Sequence, residues 1–161
     1  MAGVRAFTGG TSHAAPHEAA LSGYWQATGR VLATHDSVNQ SPGQILRRQW
    51  WIGQLCDHTC TVDLTRQVAG PRPQTIGATI TAPLVRSGDH WLATFEQPNV
   101  ACQGAGGLIS GVEDSTWTIR LGRDGTITAT ESTTTHSDAC TTETSSLAWS
   151  ARRLAAQSPA A

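Results

Sequence analysis

Apolar and polar residues alternate with a period of two along most of the chain between residues 21 and 154. That spacing belongs to strands with one face on a core and the other in solvent. Trp25, Ala27, Gly29, Val31 and Ala33 share one face of a first strand, about 23–35. Leu46, Arg48, Trp50 and Ile52 share a face of a second, about 44–56. Val62 and Leu64 mark a third, about 60–68, and Ile76, Ala78, Ile80, Ala82 and Leu84 a fourth, about 75–86. Trp91, Ala93 and Phe95 mark a fifth, about 89–96, and Trp117, Ile119 and Leu121 a sixth, about 115–121. Ile127 and Ala129 mark a seventh, about 125–133, and Leu147, Trp149 and Ala151 an eighth, about 145–153. Pro83 cannot donate to a ladder, so an edge or bulge is expected there. No segment has the 3.6-residue period of a helix of normal length.

The links between these strands alternate in length. The second, fourth and sixth are tight: Asp57-His58-Thr59, Ser87-Gly88 and Gly122-Arg123-Asp124-Gly125. The last contains Asp-Gly, a strong hairpin signal. The first, third, fifth and seventh are long, about 36–43, 69–74, 97–114 and 134–144. In an up-and-down meander, odd links lie at one end and even links at the other. The pattern predicts an all-β fold, an eight-stranded antiparallel up-and-down β-barrel, closed by tight hairpins at one end and rimmed by long loops at the other. A barrel of that size is filled by side chains or holds one small ligand. The barrel domain spans 21–154, between a leader (1–20) and a tail (155–161) that carry no period and read as flexible.

Composition narrows the classes. Charged residues are 14%, net charge is −1 and there is no basic run, which argues against nucleic-acid binding. No apolar run approaches the ~20 residues of a membrane helix. Lysine is absent, threonine occurs 22 times and tryptophan six times, a balance that favours strands. The four cysteines, Cys56, Cys60, Cys102 and Cys140, suggest two disulfides and an oxidising compartment. Zinc is the alternative, since Cys56 and Cys60 are close and His58 and His136 are at hand. It would ordinarily call for two paired knuckles, whereas Cys102 and Cys140 stand alone. Cys56 and Cys60 flank a tight hairpin, and Cys102 and Cys140 fall in links that share the open end. The expected pairs are therefore Cys56–Cys60 and Cys102–Cys140. No continuous apolar signal segment is visible; if the protein is exported, the numbering begins after a removed signal.

Candidate chemistry is sparse. Ser87, Asp89 and His90 share one turn and cannot form a triad. Gly104-Ala105-Gly106-Gly107 lacks the following lysine of a phosphate loop and reads as a rim loop. Glu113 and Asp114 read as loop residues before a strand, and Asp57 with His58 as a turn. No catalytic residue, metal site or cofactor is assigned. Trp25, Trp50, Trp91, Trp117 and Trp149 fall on inward faces and Trp51 outward. The inward rings either fill the core or line a cavity below the long loops. Arg48 shares its face with Trp50 and needs a carboxylate, a tryptophan face or an anion.

Gly23-Tyr24-Trp25 resembles the Gly-x-Trp of the calycin group, the lipocalins and their relatives. Arg152 or Arg153, after Trp149, is similar to the arginine that in lipocalins covers the first-strand tryptophan. The chain lacks the lipocalin C-terminal helix. A second resemblance, over about 22–153, is to a set of uncharacterised exported actinobacterial domains. It rests on Gly23-Tyr24-Trp25, Arg48-Gln49-Trp50, Cys56 to Cys60 with Leu64-Thr65-Arg66, Cys102, Trp117-Thr118-Ile119 and Cys140. It implies location and fold, a secreted or cell-envelope domain, rather than activity. The expected function is binding of a small apolar or amphipathic ligand at the loop-rimmed end by Trp50, Trp91, Phe95 and Trp117, with Arg48 as polar anchor. The alternatives are a structural or interaction module with a cell-envelope protein as partner, and a barrel-type cyclase.

Overall fold

A computed structural model describes residues 21–53, 59–68, 74–75 and 80–154. It contains nine strands: β1 (Gly23–His35), β2 (Ile45–Ile52), β3 (Thr59–Val68), β4 (Gln74–Thr75), β5 (Ile80–Ser87), β6 (His90–Gly104), β7 (Gly107–Leu121), β8 (Ile127–His136) and β9 (Glu143–Arg153). Eight of them close a ring in the order β1-β2-β3-β5-β6-β7-β8-β9, every neighbouring pair antiparallel, with β9 returning to β1. The two-residue β4 adds to the end of β3. Closure leaves the ring without an open edge. The described residues include no helix.

The tight links lie at one end as their lengths predict, but the fifth link, at the other end, is itself a two-residue turn at 105–106. The turns at 87–89 and 122–126 lie at one end, where Leu21 is fully buried and accepts a 2.9 Å hydrogen bond from Trp25 Nε1. Ile52, Val62, Leu84, Ile119, Ile127 and Ala151 complete an apolar core there. The Arg153 guanidinium lies 4.5 Å from the Trp25 ring centroid and donates to the Ser22 carbonyl. Of the two adjacent arginines, then, Arg153 covers the first-strand tryptophan, while Arg152 is exposed opposite Gln26. Gly23 is needed beside this pair. Its φ is +126°, and a Cβ would stand 2.7 Å from Arg153 Nη1.

Four expectations are corrected. Ala33 is exposed, because a bulge between Val31 and Ala33 shifts the register against β9. The stretch 97–114 is not a loop but the outer half of a long hairpin, in which β6 and β7 pair out to Gly104↔Gly107. Glu113 and Asp114 consequently lie within β7, opposite Gln97 and Glu96. β8 runs on to His136 and β9 starts at Glu143, so the seventh link is shorter than expected. Pro83 sits where β5 pairs with β3 but not yet with β6, a local edge. The Cys102–Cys140 disulfide is present, with Cα atoms 5.9 Å apart. The expected Cys56–Cys60 bridge involves Cys56, which lies outside the described residues, as do Ile76, Ala78, the leader and the tail.

Candidate functional site

Period-two geometry points Trp50 of β2, Phe95 of β6, Trp117 of β7 and Trp149 of β9 into the middle of the barrel, and all four are buried. They form one cluster. The centroid of Trp117 is 5.1 Å from that of Trp149 in a stacked arrangement and 5.3 Å from that of Trp50 edge-on. Phe95 meets Trp117 edge-on at 6.0 Å, and Trp50 meets Trp149 at 5.9 Å. The Trp149 ring lies against Gly29, its register partner on β1, where a Cβ would come within 2.6 Å of it. Arg48, half-buried, holds its guanidinium 5.6 Å from the Trp149 centroid. It thus meets the tryptophan face that its inward position requires.

From this cluster towards the open end, the inward wall of three adjacent strands turns polar. Ser115 on β7, Glu131, Thr133 and Thr135 on β8, and Glu143 and Ser145 on β9 are all buried, and Glu113 on β7 is half-buried. Glu131 stands opposite Trp117 and Leu147 in the register and accepts a 2.8 Å hydrogen bond from Trp149 Nε1. Burial pushes its pKa up to about 7, with the Glu113 carboxylate adding in the same direction. The bonds from Trp149 and Ser115 and the charge of Arg48 act against that rise.

Among the described residues, three indole donors have no acceptor. Trp50 Nε1, Trp91 Nε1 and Trp117 Nε1 are buried without a hydrogen-bond partner. A buried donor left unmade costs roughly 1–3 kcal/mol. Two of the three, those of Trp50 and Trp117, belong to neighbouring rings of the cluster.

The open end is roofed by the outer half of the β6–β7 hairpin. A bulge between Pro98 and Val100, with Asn99 at φ 61°, turns this arm. Asn39 Nδ2 donates to the Ala101 carbonyl at 2.7 Å, and Thr141 N donates to the Gln103 carbonyl at 2.9 Å. The Cys102–Cys140 disulfide joins the arm to the seventh link. Glu143, 2% exposed, ties all three segments: its carboxylate accepts from Gln103 N at 2.9 Å and Val38 N at 3.1 Å. β1 stands opposite β6 on the ring, so contacts from the arm to the link that follows β1 fold the arm over the opening.

The structure brings together Trp50, Phe95, Trp117 and Arg48 of the expected set. Trp91 lies apart, paired with Ile119 and approached by the Arg86 guanidinium at 5.7 Å near the tight-turn end. Trp149, Glu131, Glu113 and the hydroxyl wall were absent from the expected site. Their signal was parity alone: Ile127, Ala129, Glu131, Thr133 and Thr135 continue one face of one strand. Among the described residues, no three His, Cys, Asp or Glu side chains are grouped to hold a metal. The arrangement offers a ring-stacking floor, unmade N–H donors and a titratable carboxyl under a stapled roof. No protein-family model, curated protein or solved structure matches this chain.

Proposed function

We propose that the protein is an exported or cell-envelope barrel that binds one small amphipathic molecule in the roofed half of its interior. The observation that carries this reading is the pair of buried, unmade indole donors on Trp50 and Trp117, set in an aromatic floor beneath a polar wall. A buried donor without an acceptor is destabilising, and becomes favourable when a ligand atom accepts from it. Of the apolar or amphipathic ligand expected, the polar wall favours the amphipathic kind, with one flat face for the tryptophans and one polar edge. Export is supported by the Cys102–Cys140 disulfide, a bond that persists in oxidising compartments.

The test is a calorimetric and tryptophan-fluorescence titration of the purified protein with a panel of small planar amphiphiles. Saturable one-to-one binding, weakened at least tenfold by Trp117→Ala, is the expected outcome. Absence of saturable binding across the panel would overturn the reading. A second reading, an interaction module, draws on the hairpin tip, where Leu108 is 64% exposed. Crosslinking to an envelope protein that is lost in Leu108→Asp would favour it.

A further inference from the structure

The chemistry of the interior points beyond binding in general to a class of ligand. Around the aromatic cluster, beside the hydroxyls of Ser115, Thr133 and Ser145, which can donate or accept, the groups that can meet a ligand's polar edge are of three kinds. The unmade donors are two neutral N–H groups, on Trp50 and Trp117, whose rings touch edge-on. The carboxyl groups are Glu131, opposite Trp117 in the register, and Glu113, one inward position beyond Ser115 on β7. The cation is Arg48, already stacked against Trp149. Trp149 spends its own N–H on Glu131.

Each ligand charge can be weighed against this set. An anion would satisfy the indoles, but above about pH 7, where Glu131 is ionised, it would enter beside two carboxylates with one guanidinium to offset them, an unfavourable balance in a low-dielectric interior. A cation would gain from the carboxyl groups and the ring faces but brings no lone pair, so both indole donors would stay unmade. An uncharged oxygen acceptor satisfies the donors and adds no charge. Stacked and edge-on tryptophans favour a flat body.

We infer that the ligand is a planar, uncharged, carbonyl-bearing ring compound whose oxygen accepts from the indole N–H groups of Trp50 and Trp117. This rests on the binding reading above and specifies its ligand. Trp50 and Trp117 then act as specificity-determining residues through their N–H groups, separately from the packing that their rings provide.

The experiment compares four probes built on one ring system: acetylnaphthalene, naphthalene, naphthoate and naphthylmethylammonium. Their dissociation constants are measured calorimetrically at one pH on the unmodified protein, and on Trp50→Phe and Trp117→Phe, which keep an aromatic ring and delete the donor. On the unmodified protein, acetylnaphthalene should bind about three- to tenfold more tightly than naphthalene, and more tightly than either charged analogue. In each variant the ratio of acetylnaphthalene to naphthalene affinity should fall towards one. The ratio, rather than either affinity alone, separates the lost donor from any change in packing. The probe order on the unmodified protein decides the matter even where a variant fails to fold. A charged analogue binding most tightly, or a ketone no better than the hydrocarbon, overturns the inference and leaves the binding reading standing. No saturable binding by any of the four removes both.

Discussion

Glu131 should make the protein less stable as pH rises through the acid range, and glutamine in its place should remove that loss. The carboxyl ionises near 4.5 when unperturbed and near 7 in the fold, where burial disfavours its charge. Below about pH 4.5 both the folded and the unfolded chain hold the proton, and the group contributes no charge penalty. Between the two values the unfolded chain has released its proton while the fold still holds it. The unfolded state is then favoured further with each increment of pH. Above about pH 7 both states are ionised and the penalty levels off. The gap of about 2.5 pH units corresponds to about 3 kcal/mol at full development. Glu131→Gln keeps an oxygen that can accept from Trp149 Nε1 and carries no charge at any pH. The assay is urea unfolding of both proteins, followed by tryptophan fluorescence, from about pH 4 to about pH 8. Groups shared by the two proteins cancel in the difference between their unfolding free energies. That difference should move in the variant's favour by about 3 kcal/mol, mostly between the two ionisation values. A constant offset across the range would refute the claim that the barrel holds this carboxyl in a desolvated place.

Gly29→Ala places a methyl group within 2.6 Å of the Trp149 ring and should destabilise by about 1–3 kcal/mol; an unchanged near-ultraviolet circular dichroism spectrum would contradict the contact. Arg153→Ala should lower stability by about 0.5–1 kcal/mol through loss of the cation over Trp25, whereas Arg152→Ala should stay within about 0.5 kcal/mol of the parent; equal effects in chemical denaturation would refute the assignment of Arg153. Replacing Cys102 and Cys140 together by serine opens a link between residues 38 apart in sequence and should remove about 2–4 kcal/mol. Hydrogen exchange should then quicken in the arm at 97–114 but not at the tight-turn end, and uniform loosening would count against a local staple.

The ring of strands was legible because each of its eight members carries apolar residues at alternate positions near the tight-turn end, as in Trp91, Ala93 and Phe95. Link length then ordered the ends, and with them the Cys102–Cys140 pairing. The outer hairpin was not legible, for a physical reason. Beyond Phe95 apolar residues do not mark the inward face of β6 and β7: Leu108 and Ile109 are consecutive and both exposed, and the register breaks at Pro98/Val100. A strand whose apolar residues do not fall on one face carries no period for a sequence reading to detect. Here pairing is upheld by backbone bonds and by contacts from distant segments, such as Glu143 to Gln103.

The candidate site falls on the same boundary. Thr133 and Thr135 are buried while Thr128 and Thr130 on the same strand are exposed, so residue type does not report which hydroxyls face inward. Parity does, and continued past Ala129 it places Glu131 inside. A polar residue inside is stable only when partners meet it, and those partners, Trp149 and Ser115, arrive from β9 and β7. The tryptophans carry the point further. Trp25 and Trp50 are register partners on adjacent strands, equally buried and of the same parity. Trp25 has a carbonyl for its N–H and a guanidinium over its ring, while the Trp50 N–H has no acceptor. Parity and burial treat the two rings alike, and only their hydrogen bonding tells them apart. Sequence can place both rings inside, but whether each indole N–H meets an acceptor depends on how the backbone turns around it, as where the Leu21 carbonyl faces Trp25.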